Sequence, residues 1–250
     1  MEKNLVNRVV AFDFDDTLAV TDCEIGARSK VGDSLSLEFK TRGIQFREGQ
    51  DGWVWLDSVN YEKVQSASGL NSFHIEFDYY ESMDINLKTL LPVHSMIKLM
   101  KESLDDPDTI TIILTARAGY TEVWSPARKK FVSAKNRERI SAFLNQHGMI
   151  LPDSRIHTVG DVAREGGDTA VEKAAVLEGY ARRYRPEEVI LYDDSSRNLK
   201  QVSKIVKSPG IRCKVTTKKV HCGIIQKVKH SHYKKGIKEL LSSIFKCMLE

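Results

Sequence analysis

Residues 5–18 read LVNRVVAFDFDDTL, and this stretch decides the fold. Leu5 to Phe14 is a short, valine-rich apolar run bounded by polar residues, the mark of a buried strand in a parallel sheet. It runs straight into three carboxylates, Asp13, Asp15 and Asp16. Working outward, Thr109 to Leu114 (TITIIL) reads as a second buried strand, Arg155 to Val159 as a third and Val189 to Tyr192 as a fourth. Helical spacing is read at Pro92 to Leu104, Lys129 to Gln146, Thr169 to Tyr184 and Ser195 to Val206. Strands alternating with helices give an α/β fold class: a Rossmann-like parallel sheet flanked by helices, with right-handed crossovers. In such sheets ligands bind at the carboxyl ends of the strands.

Residues 30 to 80 break this pattern. SLSLEFK, IQFRE, WVWLDS and FHIEFDYY alternate apolar and polar residues, with breaks at Gly43, Gly49, Gly52 and Gly69. They predict a small, antiparallel, β-rich cap over 21–85, inserted between core segments 1–20 and 86–210. Its aromatics are Trp53, Trp55, Tyr61, Phe73, Phe77, Tyr79 and Tyr80. At alternating strand positions most read as the cap's own core; stacking on a base is the alternative. Residues 211–250 form a C-terminal extension. IRCKVTTKKVHCGIIQKVKH suits strands that extend the sheet, and Ile237 to Met248 a closing helix.

The net charge of +4 hides an asymmetry. From Lys200 to the end there are 13 Lys and Arg against 2 acids, and in the first 199 residues 25 against 32. A basic segment on an acidic body attracts phosphate-rich partners such as nucleic acid, or is simply a solvated face. No run approaches the roughly 18–20 apolar residues of a membrane span. The carboxylates at Asp13, Asp15 and Asp16 interrupt what an export signal needs, so the expected location is the cytoplasm. Cys23, Cys213, Cys222 and Cys247 are too scattered for a disulfide framework and read as free thiols. Cys213, His221, Cys222, His230 and His232 match no compact zinc spacing.

Chemistry gathers at the strand ends. Asp13 and Asp15, two apart after strand one, converge if the chain curls there, and close carboxylates want a metal or a cationic partner. Strand two ends at Thr115-Ala116-Arg117: a hydroxyl, a backbone N–H and a guanidinium, all donors to a phosphate-like anion. Lys173 is a lone cation among alanines on the helix after strand three. Strand four ends at Asp193-Asp194, with Asn198 one turn further on. Together these read as an anion site beside a divalent-cation site. The segment RAGYTEVWSPARKK (117–130) leaves strand two at the rim, with basic and aromatic residues suited to a polyanionic substrate.

These residues resemble the haloacid dehalogenase (HAD) superfamily, in its phosphatase branch. The matching motifs are the apolar strand with Asp13-x-Asp15-x-Thr17, Thr115 after strand two, Lys173, and the acidic pair Asp193 and Asp194. The resemblance spans about 7–206 and is closest to phage-type members and polynucleotide-end phosphatases, which share FDFDDTLA and ILTAR. Asp16 stands where many members have Gly, and reads as a turn residue.

The resemblance implies a Mg²⁺-dependent phosphomonoester hydrolase working through an aspartyl-phosphate. Asp13 is then the nucleophile and Asp15 the acid and base. Mg²⁺ is held by Asp13, the Asp15 carbonyl and Asp194, with Asp193 a further candidate. Thr115, Ala116, Arg117, Thr17 and Lys173 hold the phosphate. The expected substrate is a nucleotide or a nucleic-acid end phosphate, with the basic C-terminal segment as a possible nucleic-acid contact. The alternatives are a small phosphorylated metabolite, or a nucleic-acid-binding module without turnover.

Overall fold

The structure is a computed structural model that describes residues 6–226, apart from 22–23, 33, 79–84, 86, 89, 165–166 and 222–223. Cys23, Tyr79, Tyr80, Cys222, His230, His232, Cys247 and the helix expected at Ile237 to Met248 lie outside the described residues.

The apolar run forms β1 (Arg8–Phe12), the centre of the main sheet. Asp15 to Leu18 turn the chain, and β2 (Ala19–Val20) leads out of the core. A separate layer follows: β3 (Ile25–Ser29), α1 (Leu35–Thr41), β4 (Arg47–Glu48), β5 (Val54–Leu56), α2 (Ser58–Ser66) and β6 (Ile75–Asp78). The chain returns through β7 (Leu91–Pro92), which pairs with β2. Then come α3 (His94–Asp105), β8 (Thr109–Thr115), β9 (Tyr120–Ser125), β10 (Lys130–Lys135) and α4 (Asn136–Gln146). The last part holds β11 (Ile156–Thr158), α5 (Asp161–Arg164), α6 (Thr169–Tyr184), β12 (Glu188–Asp193), α7 (Ser196–Val202), β13 (Lys214–His221) and β14 (Ile224–Gln226).

The main sheet runs β11-β8-β1-β12-β13-β14, and all neighbours are parallel except β13 and β14. The α/β class with a parallel sheet flanked by helices is therefore the one observed. Period-2 alternation sorts β1 between two cores. Val10 and Phe12 face one side, with Met96 and Met100 of α3 and Ile140 and Phe143 of α4. Val9 and Ala11 face the other, with Leu177 of α6 and Val202 of α7. All seven residues of β8 are buried, as expected for a strand covered on both faces. Among the described residues no helix is long and apolar enough to cross a membrane.

Two local expectations are corrected. SLSLEFK is a helix, α1, not a strand. The Ser-Leu alternation suggested period 2, but Leu37 is 66% exposed while Leu35 and Phe39, four apart, are buried together with Val54 and Leu56. Helical spacing is the one that buries the larger side chains. The inserted layer is thus a four-stranded antiparallel sheet, β4-β5-β3-β6, with two helices, rather than β structure alone. The second correction concerns Lys129 to Gln146. Its first third is strand β10, paired antiparallel with β9 from Lys130↔Ser125 to Lys135↔Tyr120, and the helix begins only at Asn136. The chain reverses over 126–129, where Lys129 takes the left-handed φ of 52°. KFVSAK finds a partner strand in YTEVWS, and cross-strand pairing outweighs a helical reading of its apolar spacing.

Candidate active site

β1 lies between β8 and β12, and the chain runs from it to one side of the sheet and later to the other. This is the switch point at which open α/β sheets bind ligands. Asp13 follows the last residue of β1, Thr115 ends β8 and Asp193 ends β12. Phe12 registers with Tyr192 and with Ile113, so these three side chains come from one edge of the sheet. The Asp13 N–H donates to the Tyr192 carbonyl at 2.9 Å, carrying the ladder one residue past β1.

Lys173, in the second turn of α6, has no exposed surface. Its Nζ donates to Asp13 Oδ1 and to Asp193 Oδ2, both at 2.8 Å. Asp193 is held further. Its Oδ1 accepts from the Ser195 N–H at 2.8 Å and from Asn198 Nδ2 at 3.0 Å. Both of its oxygens are thereby engaged by protein donors. Asp13, Asp193 and Asp194 each place one carboxylate oxygen within 4.8 Å of the others. All three donors are hard oxygens, a set that suits a hard divalent cation rather than a thiophilic one.

Burial pushes the Asp13 carboxyl well above the usual carboxylate range. Lys173 opposes this, and Asp193, Asp194 and Asp15 reinforce it. For Lys173, burial pulls the ammonium down, but Asp13 and Asp193 more than offset it and its pKa is raised. The direction at Asp13 follows from its burial, with one cation facing several carboxylates.

Asp15 is placed by other residues. Arg117, with only 4% of its side chain exposed, sends Nε to both Asp15 oxygens at 2.9 Å and an NH2 nitrogen to Oδ1 at 2.6 Å. Thr115 Oγ1 lies 3.4 Å from Asp15 Oδ2 and accepts the Arg117 N–H at 3.2 Å. The guanidinium expected to face an anion is therefore engaged with Asp15. Ala116 is exposed at the loop tip. Thr17 Oγ1 is buried without a hydrogen-bond partner, an arrangement that costs about 1–3 kcal/mol until an oxygen or donor meets it. Asp16 sits at φ 54°, the left-handed region glycine favours, and its N–H donates to the Ala19 carbonyl at 2.8 Å. That geometry accounts for a turn residue there.

Two supporting residues escaped the sequence reading. Gly160, just past β11, sends its N–H to the Arg117 carbonyl at 3.0 Å. A Cβ on it would lie 2.3–2.5 Å from the backbone of Ala116, Arg117 and Ala118. Only glycine lets β11's exit pack on the Thr115 loop, and a glycine directly after a strand was the available signal. Asn136, fully buried, sends Nδ2 to the Ala118 carbonyl at 2.9 Å and accepts the Ile85 N–H at 3.3 Å. Nothing in its sequence context marked it.

No protein-family model matches the chain, and no curated protein matches it. Among solved structures, the HAD domain of the Legionella pneumophila effector Lem4 is 11% identical, over 98% of this chain and 93% of that one, with a TM-score of 0.36. The Legionella pneumophila effector Ceg4, solved with an N-terminal yeast Hog1p sequence, is 13% identical over 98% and 97%, with a TM-score of 0.40. Likenesses this distant add nothing to what the topology and the side chains say.

Proposed function

We propose that the chain is a Mg²⁺-dependent phosphomonoester hydrolase with Asp13 as covalent nucleophile, acting on the phosphate of a nucleotide or a nucleic-acid end. The observation that carries it is Lys173, buried and bridging Asp13 and Asp193 at 2.8 Å each, next to Asp194. A pure scaffold has no use for four charges at one strand edge, because their desolvation is unfavourable. Uncatalysed phosphomonoester hydrolysis is among the slowest reactions known, so charge neutralisation and a two-step route are what an active site must supply.

Asp13 Oδ attacks phosphorus as the bond to the leaving oxygen breaks, and Asp15 gives that oxygen its proton. Asp15 then takes a proton from water, whose oxygen attacks phosphorus and frees Asp13. Arg117 and Thr115 hold the Asp15 carboxyl in place, so Arg117 is a positioning residue here. Lys173 balances Asp13 and the arriving phosphate, and Thr17 supplies a hydroxyl that lacks a partner. Asp13 and Asp194 would hold Mg²⁺, since the Asp193 oxygens already accept from Lys173, Ser195 and Asn198. When bound, the ion neutralises the gathered negative charge.

The test is phosphate release from an aryl phosphate, mononucleotides and 3′- or 5′-phosphorylated oligonucleotides, with Mg²⁺ and with EDTA. Asp13→Asn is nearly isosteric and is expected to lose turnover by several orders of magnitude while staying folded. Turnover retained in that variant ends the nucleophile assignment, and release that survives EDTA ends the metal assignment.

A further inference from the structure

The ribbon β9–β10 leaves the sheet directly after the Thr115 loop and is anchored at both ends. At its foot the Asn136 N–H donates to the Gly119 carbonyl at 3.0 Å, and Asn136 Nδ2 holds Ala118. At its tip the buried Ser125 hydroxyl donates to Asp78 Oδ2 at 2.6 Å, and the Ala127 N–H donates to the same oxygen at 2.9 Å. Ser125 also accepts the Arg128 N–H at 3.1 Å. Ser125 thus turns inward, and the alternation along β9 puts Trp124 on the opposite face.

That outer face carries a large apolar feature. Trp124 and Phe131 are directly opposite each other across the ribbon, with ring centroids 5.3 Å apart at 65°. They are 47% and 70% exposed, although the ribbon's anchoring does not depend on them. Between Tyr120 and Arg137 there are five Lys and Arg (Arg128, Lys129, Lys130, Lys135, Arg137) against one acid, Glu122. A cavity of about 300 Å³ opens at the foot, lined by the cations Lys135 and Arg137, the acids Glu138, Asp153 and Asp161, and Thr158. Thr158 is the β11 residue in register with Thr115, so the cavity begins one strand away from the Thr115 hydroxyl.

We propose that this ribbon is a stacking platform for single-stranded nucleic acid, whose end phosphate is the group processed at Asp13. The second half rests on the phosphatase reading above; the binding half does not. Bases stack on exposed aromatic rings while cations follow the phosphates, and single-strand sites combine the two. Exposed aromatics also suit a protein partner, but lysine is depleted in protein interfaces, and the cations at the ribbon's turn favour a phosphate-bearing strand. Arg128 and Lys129 lie in the turn beside the pair and Lys135 shares the face of Phe131, whereas Lys130, opposite Ser125, is on the other face.

The experiment uses the full chain and a fluorescein-labelled single strand of about 12 nucleotides without terminal phosphate, read by anisotropy. Trp124→Ala and Phe131→Ala are each expected to weaken binding about tenfold, and Trp124→Phe to restore most of it. An abasic strand of the same length should bind about tenfold more weakly to the unaltered chain. Urea unfolding midpoints establish that the variants are folded. In the second arm, phosphate release from the same strand with a 3′ or 5′ phosphate should lose in KM rather than kcat. The platform is overturned if the chain carrying both Trp124→Ala and Phe131→Ala, or the abasic strand, binds like the parent. It is equally overturned if polyglutamate or anionic vesicles compete as well as the strand, since charge alone then explains binding. If no substrate releases phosphate while the variants still lose strand binding, the platform stands and the phosphatase reading fails. If release is normal and the variants bind the strand unchanged, the platform fails and the phosphatase reading stands.

Discussion

Lys173 is a lysine with no exposed surface, and lysines are almost never fully buried unless paired. Its two bonds, to Asp13 and Asp193, make it the charge on which the strand edge balances. Lys173→Met keeps the length and removes the ammonium, leaving Asp13, Asp193 and Asp194 facing one another. Unfolding free energy in EDTA at neutral pH is expected to fall by about 3–5 kcal/mol, the usual cost of breaking a buried pair from one side. Urea denaturation measures it, and a loss below about 1 kcal/mol would mean that the pair behaves like an exposed one. Asp15 belongs to a separate small network with Arg117 and Thr115. The acids that the sequence grouped as one cluster are in fact split between two cations. Spacing along a strand end brings carboxylates together but does not say which cation each will meet.

At the scale of elements, the ribbon β9–β10 joins the core to the inserted layer, because Asp78 belongs to β6. Asp78 is 1% exposed. Asp78→Ala strands the Ser125 hydroxyl and the Ala127 N–H, a cost of about 1–3 kcal/mol. The loss should appear locally, as faster amide exchange over 120–135 with α6 unchanged. Equal protection in both proteins would show that the ribbon tip is held by something else. The buried strands β1, β8 and β12 were legible because a covered parallel strand has a simple signature, an unbroken apolar run of limited length. The helix at Thr169–Tyr184 was legible to the residue. α1 and β10 were not, because both are half-exposed and short, and their sequences support either period. Their partners decided: Val54 and Leu56 for α1, YTEVWS for β10. The strand ends were readable as a site, whereas the pairing of Arg117 with Asp15 depends on how the loop after β8 turns back, which spacing does not encode.

For the whole molecule, acidity should act through the contact between sheet edge and helix layer. His157 of β11 shares a hydrogen bond of 2.9 Å with the Tyr180 hydroxyl of α6. Burial first, and Arg137 second, hold its imidazole below the ordinary value of 6.5. The folded state therefore binds fewer protons than the unfolded one, and stability is full above pH 6.5 and lost as pH falls through the window below it. Melting temperatures from pH 7.5 to 5.5 should decline less in His157→Gln than in the unaltered chain, and parallel curves would remove His157 from the account. A last consequence concerns the order in which the chain is made. β1 is the central strand, and its partners β8 and β12 lie about 100 and 180 residues further along. At roughly 5–20 residues per second, one edge of this apolar strand waits about 5–20 s for its partner and the other about 9–36 s. Unpaired strand edges recruit other strands, so β1 is exposed to aggregation over that interval. The carboxylate proposed to carry the chemistry leaves the ribosome with β1. Asp193, Asp194 and Lys173, the groups that complete its surroundings, are among the last of the core to follow.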